Sequence, residues 1–208
     1  MPLFNLINIL LIHIPKTGGT SIENYFYNKF NIKRTLNTLY SDLSLILNSH
    51  SLQHSTFNEL FEKKEYYDID FNNIKIISVI RNPYERIISD LFYNGLINLE
   101  STKDEIFSKI SWFLNSTDLI YDNHKMEQYK YLIGLDGKIN NNIIIMRIET
   151  LNDDMIKNGF DDFNVYDQVS YRNKINYIGL LNNDSIKLIN NFYQKDFEYF
   201  NYEIIKII

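Results

Sequence analysis

The sequence predicts an α/β fold with a central parallel sheet flanked by helices, and three observations support it. Three apolar, mostly β-branched runs, at residues 6–13, 74–80 and 143–148, have the length and composition of buried strands. Segments with helical spacing separate these runs, which favours a parallel sheet with helices on both faces. The 208 residues are 45% hydrophobic and contain no Pro/Gly/Ser-rich linker, so we expect one domain, residues 1–208, with a substantial core.

The predicted helices follow from N-terminal signals and apolar spacing. Gly19 and Thr20 stand at the start of a helical pattern over residues 20–30. Pro83 suits the first position of a helix over Pro83–Tyr93. Residues 183–199 carry one apolar stripe and predict a long final helix. Similar spacing predicts shorter helices over residues 43–47, 57–64, 104–114, 123–132 and 149–158.

Charge and cysteine content narrow the classes of function. The formal net charge is −5, which argues against nucleic-acid binding because no basic excess is present to neutralise a phosphate backbone. A local basic pocket for one nucleotide is still compatible with this charge. The chain has no cysteine, which excludes disulfides and thiolate metal sites and suits a reducing compartment.

The apolar N-terminus, MPLFNLINILLIHIPK, predicts a strand rather than a targeting segment. It has no Lys or Arg before Lys16 and no small-residue cleavage site, unlike a signal peptide. Its apolar run is shorter than the roughly 20 residues of a membrane helix. We therefore expect a cytoplasmic or otherwise soluble protein without a membrane span or anchor. The sequence leaves the oligomeric state open.

The first motif, HIPKTGGTS at residues 13–21, follows a predicted strand and opens a helix. Two glycines let successive backbone N–H groups curl inward, and the helix N-terminus adds partial positive charge. Lys16 precedes both glycines, so this is not the GxxxxGK[ST] loop of ATPases. A tight turn that uses glycine only for packing is the alternative. The motif predicts an anion cradle made of Pro15, Lys16, Thr17, Gly18, Gly19, Thr20 and Ser21.

The second motif, IISVIRNPYERIISDLF, places Arg81 just past a predicted strand and Ser89 about two helical turns further on. The planar guanidinium of Arg81 suits phosphate oxygens, and the Ser89 hydroxyl can add a donor. The alternative is that Arg81 pairs with a carboxylate and Ser89 faces solvent. We expect Arg86 to form a structural ion pair. Both motifs follow strands of a parallel sheet, so we expect them together at its carboxyl edge, where ligands bind in such folds.

Together the two motifs resemble those of the carbohydrate sulfotransferases of the uronosyl 2-O-sulfotransferase type and their bacterial and viral relatives. In that family a PKTGGTS-like loop holds the 5′-phosphosulfate of 3′-phosphoadenosine 5′-phosphosulfate (PAPS). The first Arg and the Ser of RNPxxRxxS hold the 3′-phosphate. The matching residues here are 15–21, Arg81 and Ser89. The resemblance implies a P-loop-kinase-like three-layer fold, PAPS as the sulfuryl donor, and a carbohydrate or other hydroxyl-bearing acceptor.

Weaker resemblance covers most of the remaining chain. MRIETLNDD, residues 146–154, is similar to a strand of the family, and FYQKDFEYFNY, residues 192–202, to its terminal helix. YRNK, residues 171–174, stands where the family has a loop that closes over the nucleotide, which implies cofactor contacts from Arg172 and Lys174. The membrane anchor of the family's Golgi members has no counterpart, which weakens the expectation of a glycan acceptor in a secretory compartment.

Sulfuryl transfer to a hydroxyl requires stabilisation of leaving-group charge and a general base. Lys16 is the predicted source of the positive charge. His54, in HSTFNEL between the motifs, is the predicted base because relatives carry a histidine there and imidazole titrates near neutral pH. His50 and Glu59 are the competing candidates.

The other histidines suggest different roles. We expect His13 to touch the cofactor or pack, and His124 to lie on the surface. The histidines are scattered apart from the i,i+4 pair His50 and His54, and we expect no metal. Two other functions stay open. A kinase with an atypical phosphate loop is disfavoured by the missing Walker Lys-Ser/Thr pair, and a non-catalytic nucleotide-binding protein by the intact Lys16 and His54.

Overall fold

The computed structural model describes residues 2–33, 51–116, 122–164 and 175–207. The predicted helix at 43–47, His50, and the loop with Arg172 and Lys174 lie outside the described residues. In the described ranges, no helix is long and apolar enough to cross a membrane.

The central sheet confirms the predicted α/β class. Its strands are β1 (Leu3–Phe4), β2 (Ile9–Ile12), β3 (Lys75–Ile80) and β4 (Ile143–Arg147), adjacent in that order. β2, β3 and β4 are parallel, and β1 is antiparallel to β2. The first predicted strand is shorter than expected because residues Asn5–Ile7 form a 3-10 turn, which ends at Asn8 in the left-handed conformation. That turn reverses the chain and lets Leu3–Phe4 pair with β2.

The helices surround this sheet, and most begin and end close to the predicted positions. The one over Pro83–Tyr93 matches its prediction at both ends. Their bounds are α1 Gly19–Lys29, α2 Phe57–Glu62, α3 Pro83–Tyr93, α4 Lys103–Asn115, α5 Gln128–Leu132, α6 Leu151–Lys157, α7 Asn183–Phe192 and α8 Gln194–Phe200.

Two helix predictions were wrong in extent. The helix expected over residues 123–132 starts only at Gln128, since Asp122 and Asn123 adopt positive φ angles of 50° and 64° that a helix excludes. The single final helix is two helices that meet at Tyr193, whose φ of −102° interrupts the regular geometry. The Tyr193 side chain is buried, and its hydroxyl donates to the Lys125 carbonyl at 3.0 Å.

Each face of the sheet is covered, as the near-continuous apolar strands require. Leu10 and Ile12 of β2 pack with α2 and α5 on one face. Ile9 and Leu11 alternate with them and pack with α1 and α6 on the other face. A third apolar cluster joins α3, α4, α7 and α8 beside the sheet. It fixes α3 next to the carboxyl ends of the strands, where both sequence motifs lie.

Candidate active site

The two sequence motifs lie side by side, as predicted. His13 follows β2 and Arg81 follows β3, and these parallel strands are direct neighbours in the sheet. Arg81 Nη1 donates to the Lys16 carbonyl at 3.3 Å. The backbone of Arg81 is held in turn by Gln128, which accepts from its N–H and donates to its carbonyl, both at 2.9 Å. The end of β3 is therefore joined directly to the first motif.

The turn between β2 and α1, residues 13–19 (the anion loop), has the tight curvature of an anion cradle. Lys16 and Gly18 adopt positive φ angles of 65° and 96°. The Thr17 hydroxyl donates inward to the Ile14 carbonyl at 2.8 Å, so it stabilises the turn itself. Among the described residues no side chain caps the N-terminus of α1. The Ser21 N–H donates to the Gly18 carbonyl at 3.0 Å, and the N–H groups of Gly19 and Thr20 before it are the candidates to bind an anion.

Gly19 is required at its position by the neighbouring His13 ring. A Cβ atom built on Gly19 would lie 2.5 Å from His13 Cδ2, well inside contact distance. The His13 ring is buried, and its Nδ1 is hydrogen-bonded to the Glu23 carboxylate of α1. The second glycine of the motif thus lets a histidine pack against the loop, in addition to the role predicted for it in the cradle.

His54 is buried and held by an acidic side chain from far along the chain. Its Nδ1 lies 2.8 Å from Asp122 Oδ2, and that oxygen also accepts from the Ser51 hydroxyl at 2.7 Å. Burial lowers the pKa of His54 from 6.5 to about 4, against the opposing influence of Asp122. Burial alone would raise the pKa of Asp122, but the hydrogen bonds from His54 and Ser51 lower it to about 2. At neutral pH a neutral imidazole therefore donates from Nδ1 to a carboxylate and keeps the Nε2 lone pair available.

His124 lies beside His54, which corrects the prediction that it is a surface residue. The ring centroids are 5.1 Å apart, and His124 is buried. Its Nδ1 is 2.7 Å from Asp90 Oδ1 of α3, an equally buried carboxylate. We call these two histidines with Asp90 and Asp122 the histidine pocket. The error arose from the predicted helix at 123–132, which placed His124 on a regular helical surface.

A line of ring contacts joins the histidine pocket to the anion loop. Tyr93, at the end of α3, stacks on His124 with centroids 5.8 Å apart and planes 18° apart. The Lys16 ammonium lies 3.9 Å from the centre of the Tyr93 ring. The His13 ring, which packs on Gly19, is 5.4 Å from the His54 ring. The predicted cation and the predicted base therefore border one site.

A family model described as "Sulfotransferase family" matches residues 6–203, nearly the whole chain. The chain belongs to the sulfotransferase family. No curated protein and no solved structure matches it. The match confirms the resemblance drawn from the two motifs and the P-loop-like fold. Members of this family transfer a sulfuryl group to a hydroxyl-bearing acceptor.

Arg86 connects the anion loop to the histidine pocket. Its guanidinium is buried and donates to the Pro15 carbonyl at 3.0 Å, the Met126 carbonyl at 2.9 Å and the His124 carbonyl at 2.7 Å. The structural role predicted for Arg86 is thus confirmed, but the acceptors just named are carbonyls instead of the expected carboxylate. The planar guanidinium carries five N–H donors in a rigid arrangement, so it can hold these three carbonyls in place in a way that a lysine ammonium could not.

The remaining predicted site residues differ in burial and in the hydrogen bonds that they already form. The Ser89 hydroxyl is half-buried and has no hydrogen-bond partner in the part of the chain that the structure describes. Thr20 and Ser21 are half-buried at the start of α1. Glu59 forms the capping box of α2, where Oε2 accepts from the Thr56 N–H at 2.7 Å. That bond gives the competing base a structural task.

Proposed function

We propose that this sulfotransferase moves a sulfuryl group from PAPS to a hydroxyl of a carbohydrate, with Lys16 and His54 as its catalytic residues. The observation that carries the proposal is the line of contacts from Lys16 through Tyr93 and His124 to His54. A cation beside an anion loop serves the leaving group, and a neutral imidazole with an acidic partner serves the attacking hydroxyl.

The two motifs divide the donor between them in this proposal. The 5′-phosphosulfate binds at the N-terminus of α1, to Lys16 and to the hydroxyls of Thr20 and Ser21, together with backbone N–H groups of Thr17, Gly18 and Gly19. Pro15 has no N–H and shapes the loop, since its carbonyl accepts from Arg86.

Arg81 and the open Ser89 hydroxyl bind the 3′-phosphate. The Arg81 guanidinium pairs with the Glu85 carboxylate of α3, with Nη2 3.2 Å from Oε2, which is the carboxylate pairing raised as the alternative from the sequence. Its carbon lies 5.3 Å from the centre of the Tyr177 ring. In this proposal the 3′-phosphate replaces Glu85 on the planar guanidinium. Arg172 and Lys174 are proposed to close over the nucleotide.

In the transfer step the acceptor oxygen forms a bond to sulfur, and the bond from sulfur to the bridging phosphate oxygen breaks. The acceptor proton passes to His54 Nε2, while Asp122 holds the ring through Nδ1 and stabilises the imidazolium. Lys16 stabilises the negative charge that develops on the leaving phosphate. The lysine therefore has to exchange its position over Tyr93 for one beside the donor.

A carbohydrate acceptor is supported by the resemblance and by the Tyr93 ring. This side chain is 63% exposed although it adjoins both Lys16 and His124. An exposed aromatic ring with a polar hydroxyl can pack against the apolar face of a sugar while bonding to its hydroxyls. Replacement of Tyr93 by alanine should therefore weaken acceptor binding more than donor binding.

Calorimetry with three nucleotides tests the donor assignment. We expect 3′-phosphoadenosine 5′-phosphate to bind at least about tenfold more tightly than AMP, since one charge-assisted contact is worth roughly 1.5–3 kcal/mol. An Arg81→Ala variant should lose this preference while keeping its affinity for AMP. Equal affinities in the wild type would contradict two separate phosphate sites. A preference for ATP would favour a kinase instead.

A further inference from the structure

The histidine pocket contains a group of side chains with the composition of a metal site. His54, Asp122 and His124 each offer a ligand atom, and these atoms lie within 4.8 Å of one another. His54 Nδ1 and Asp122 Oδ2 are 2.8 Å apart, a hydrogen-bond distance, whereas two atoms bound to one tetrahedral ion at about 2.0–2.2 Å each are separated by roughly 3.3–3.6 Å. Side-chain movements of about 1–2 Å would therefore bring the three ligand atoms around one ion.

The surrounding groups orient these ligands as they do in known metal centres. Asp90 accepts from His124 Nδ1 at 2.7 Å, which leaves Nε2 of that ring to face the group. A carboxylate behind a ligating histidine fixes its tautomer and raises its basicity. The Ser51 hydroxyl donates to Asp122 Oδ2 at 2.7 Å. The buried Arg86 holds the His124 carbonyl at 2.7 Å and so restrains the backbone of this ligand.

The group is buried on one side and open on the other. The His54 and His124 side chains are 9% and 10% exposed, whereas that of Asp122 is 37% exposed. An ion can therefore enter past Asp122, and water can complete its coordination. Two imidazoles and one carboxylate suit Zn²⁺ and its neighbours, whereas Mg²⁺ and Ca²⁺ prefer oxygen ligands.

We propose that His54, Asp122 and His124 bind one divalent transition-metal ion, such as Zn²⁺, and that the bound ion switches off sulfuryl transfer. Ligation through His54 Nδ1 moves the proton of the neutral ring to Nε2, the atom that accepts the proton of the acceptor hydroxyl. No net proton is released, but the base is blocked. The inhibition rests on the proposed function, whereas the metal site does not.

The site is tested on the full-length protein without nucleotide. Co²⁺ should produce ligand-field absorption bands, and calorimetry should show Zn²⁺ binding at one ion per chain. His124→Ala and Asp122→Asn should abolish the bands, and Asp90→Asn should weaken Zn²⁺ binding by about 10–100-fold. Asp162→Asn, at an exposed carboxylate paired with Lys29, should leave binding unchanged. Circular dichroism of every variant checks the fold.

Anomalous diffraction from a crystal soaked in Zn²⁺ supplies a result that needs no variant. One peak between His54 and His124 supports the site, and a peak elsewhere overturns it. Zn²⁺ should inhibit the transfer reaction and EDTA should restore it, with no effect of Mg²⁺. Full activity with the site occupied would overturn the switch. If metal binds while the nucleotide preference described above is missing, the proposed function fails and the metal site stands.

Discussion

The anion loop is one continuous stretch of chain, whereas the histidine pocket joins residues as far as 70 positions apart, since the rings of His54 and His124 are in contact. In the loop, positive φ angles and the start of α1 create the geometry from adjacent residues. In the pocket, each imidazole depends on a carboxylate brought in by another segment. The anion loop is formed by neighbouring residues and tolerates changes elsewhere in the fold. The histidine pocket is formed by distant segments and is lost when any of these segments moves. Substitutions in the anion loop and in the histidine pocket should therefore change different properties of the protein.

Replacement of His54 should produce the largest effect. His54→Ala removes the proposed proton acceptor, and we expect the transfer rate to fall by about 10²–10⁴-fold. The affinity for 3′-phosphoadenosine 5′-phosphate should stay within a few-fold, because His54 supplies no group to the two proposed phosphate sites. Steady-state rates and calorimetry on the same samples measure both quantities. A variant with the wild-type rate would move the base to His50 or Glu59.

Lys16→Ala tests whether the anion loop acts on the transition state or on donor binding. Loss of a preorganised charge on the leaving group should lower kcat by about 10²–10³-fold, with a smaller change in donor affinity. Lys29→Ala is a matched control, since Lys29 pairs with Asp162 on the exposed side of α1. If donor affinity falls as much as kcat, Lys16 binds the ground state and is not selective for the transition state.

Gly19→Ala tests the packing inside the anion loop. The new methyl group meets the His13 ring at 2.5 Å, and overpacking of this kind costs about 1–3 kcal/mol of the free energy of unfolding. Gly95→Ala is the control, because Gly95 has a positive φ of 66° but nothing within 4 Å of a Cβ. Denaturant titration of both variants separates the clash from backbone strain. A Gly19→Ala variant as stable as the wild type would remove the packing role assigned to Gly19.

The contrast between a continuous loop and a pocket formed by distant segments also determines which features could be predicted from the sequence alone. Lys16, the glycines and Arg81 could be proposed from the sequence because each stands at a fixed offset from a strand or helix that periodicity reveals. His124 was missed because its surroundings depend on the left-handed residues Asp122 and Asn123 and on Asp90 of another helix. Nothing in the local pattern distinguishes this turn from the first turns of an amphipathic helix. Pairing of distant polar residues follows from tertiary packing, which hydrophobic periodicity does not record.

The pH dependence gives the smallest expected change and the sharpest test of the assembled pocket. An imidazole exposed to water titrates at its ordinary pKa of 6.5, but burial lowers the pKa of His54 to about 4. The neutral ring is the active form, so kcat/KM should stay level as the pH falls and should decline only near pH 4. At pH 5.5 the neutral fraction is about ten times larger with the lowered pKa than with the ordinary one. Rates measured from pH 4 to 8 with a chelator present decide between these profiles. A decline centred near pH 6.5 would mean that His54 is solvated or that another group is the base, and the pocket would then not assemble as described.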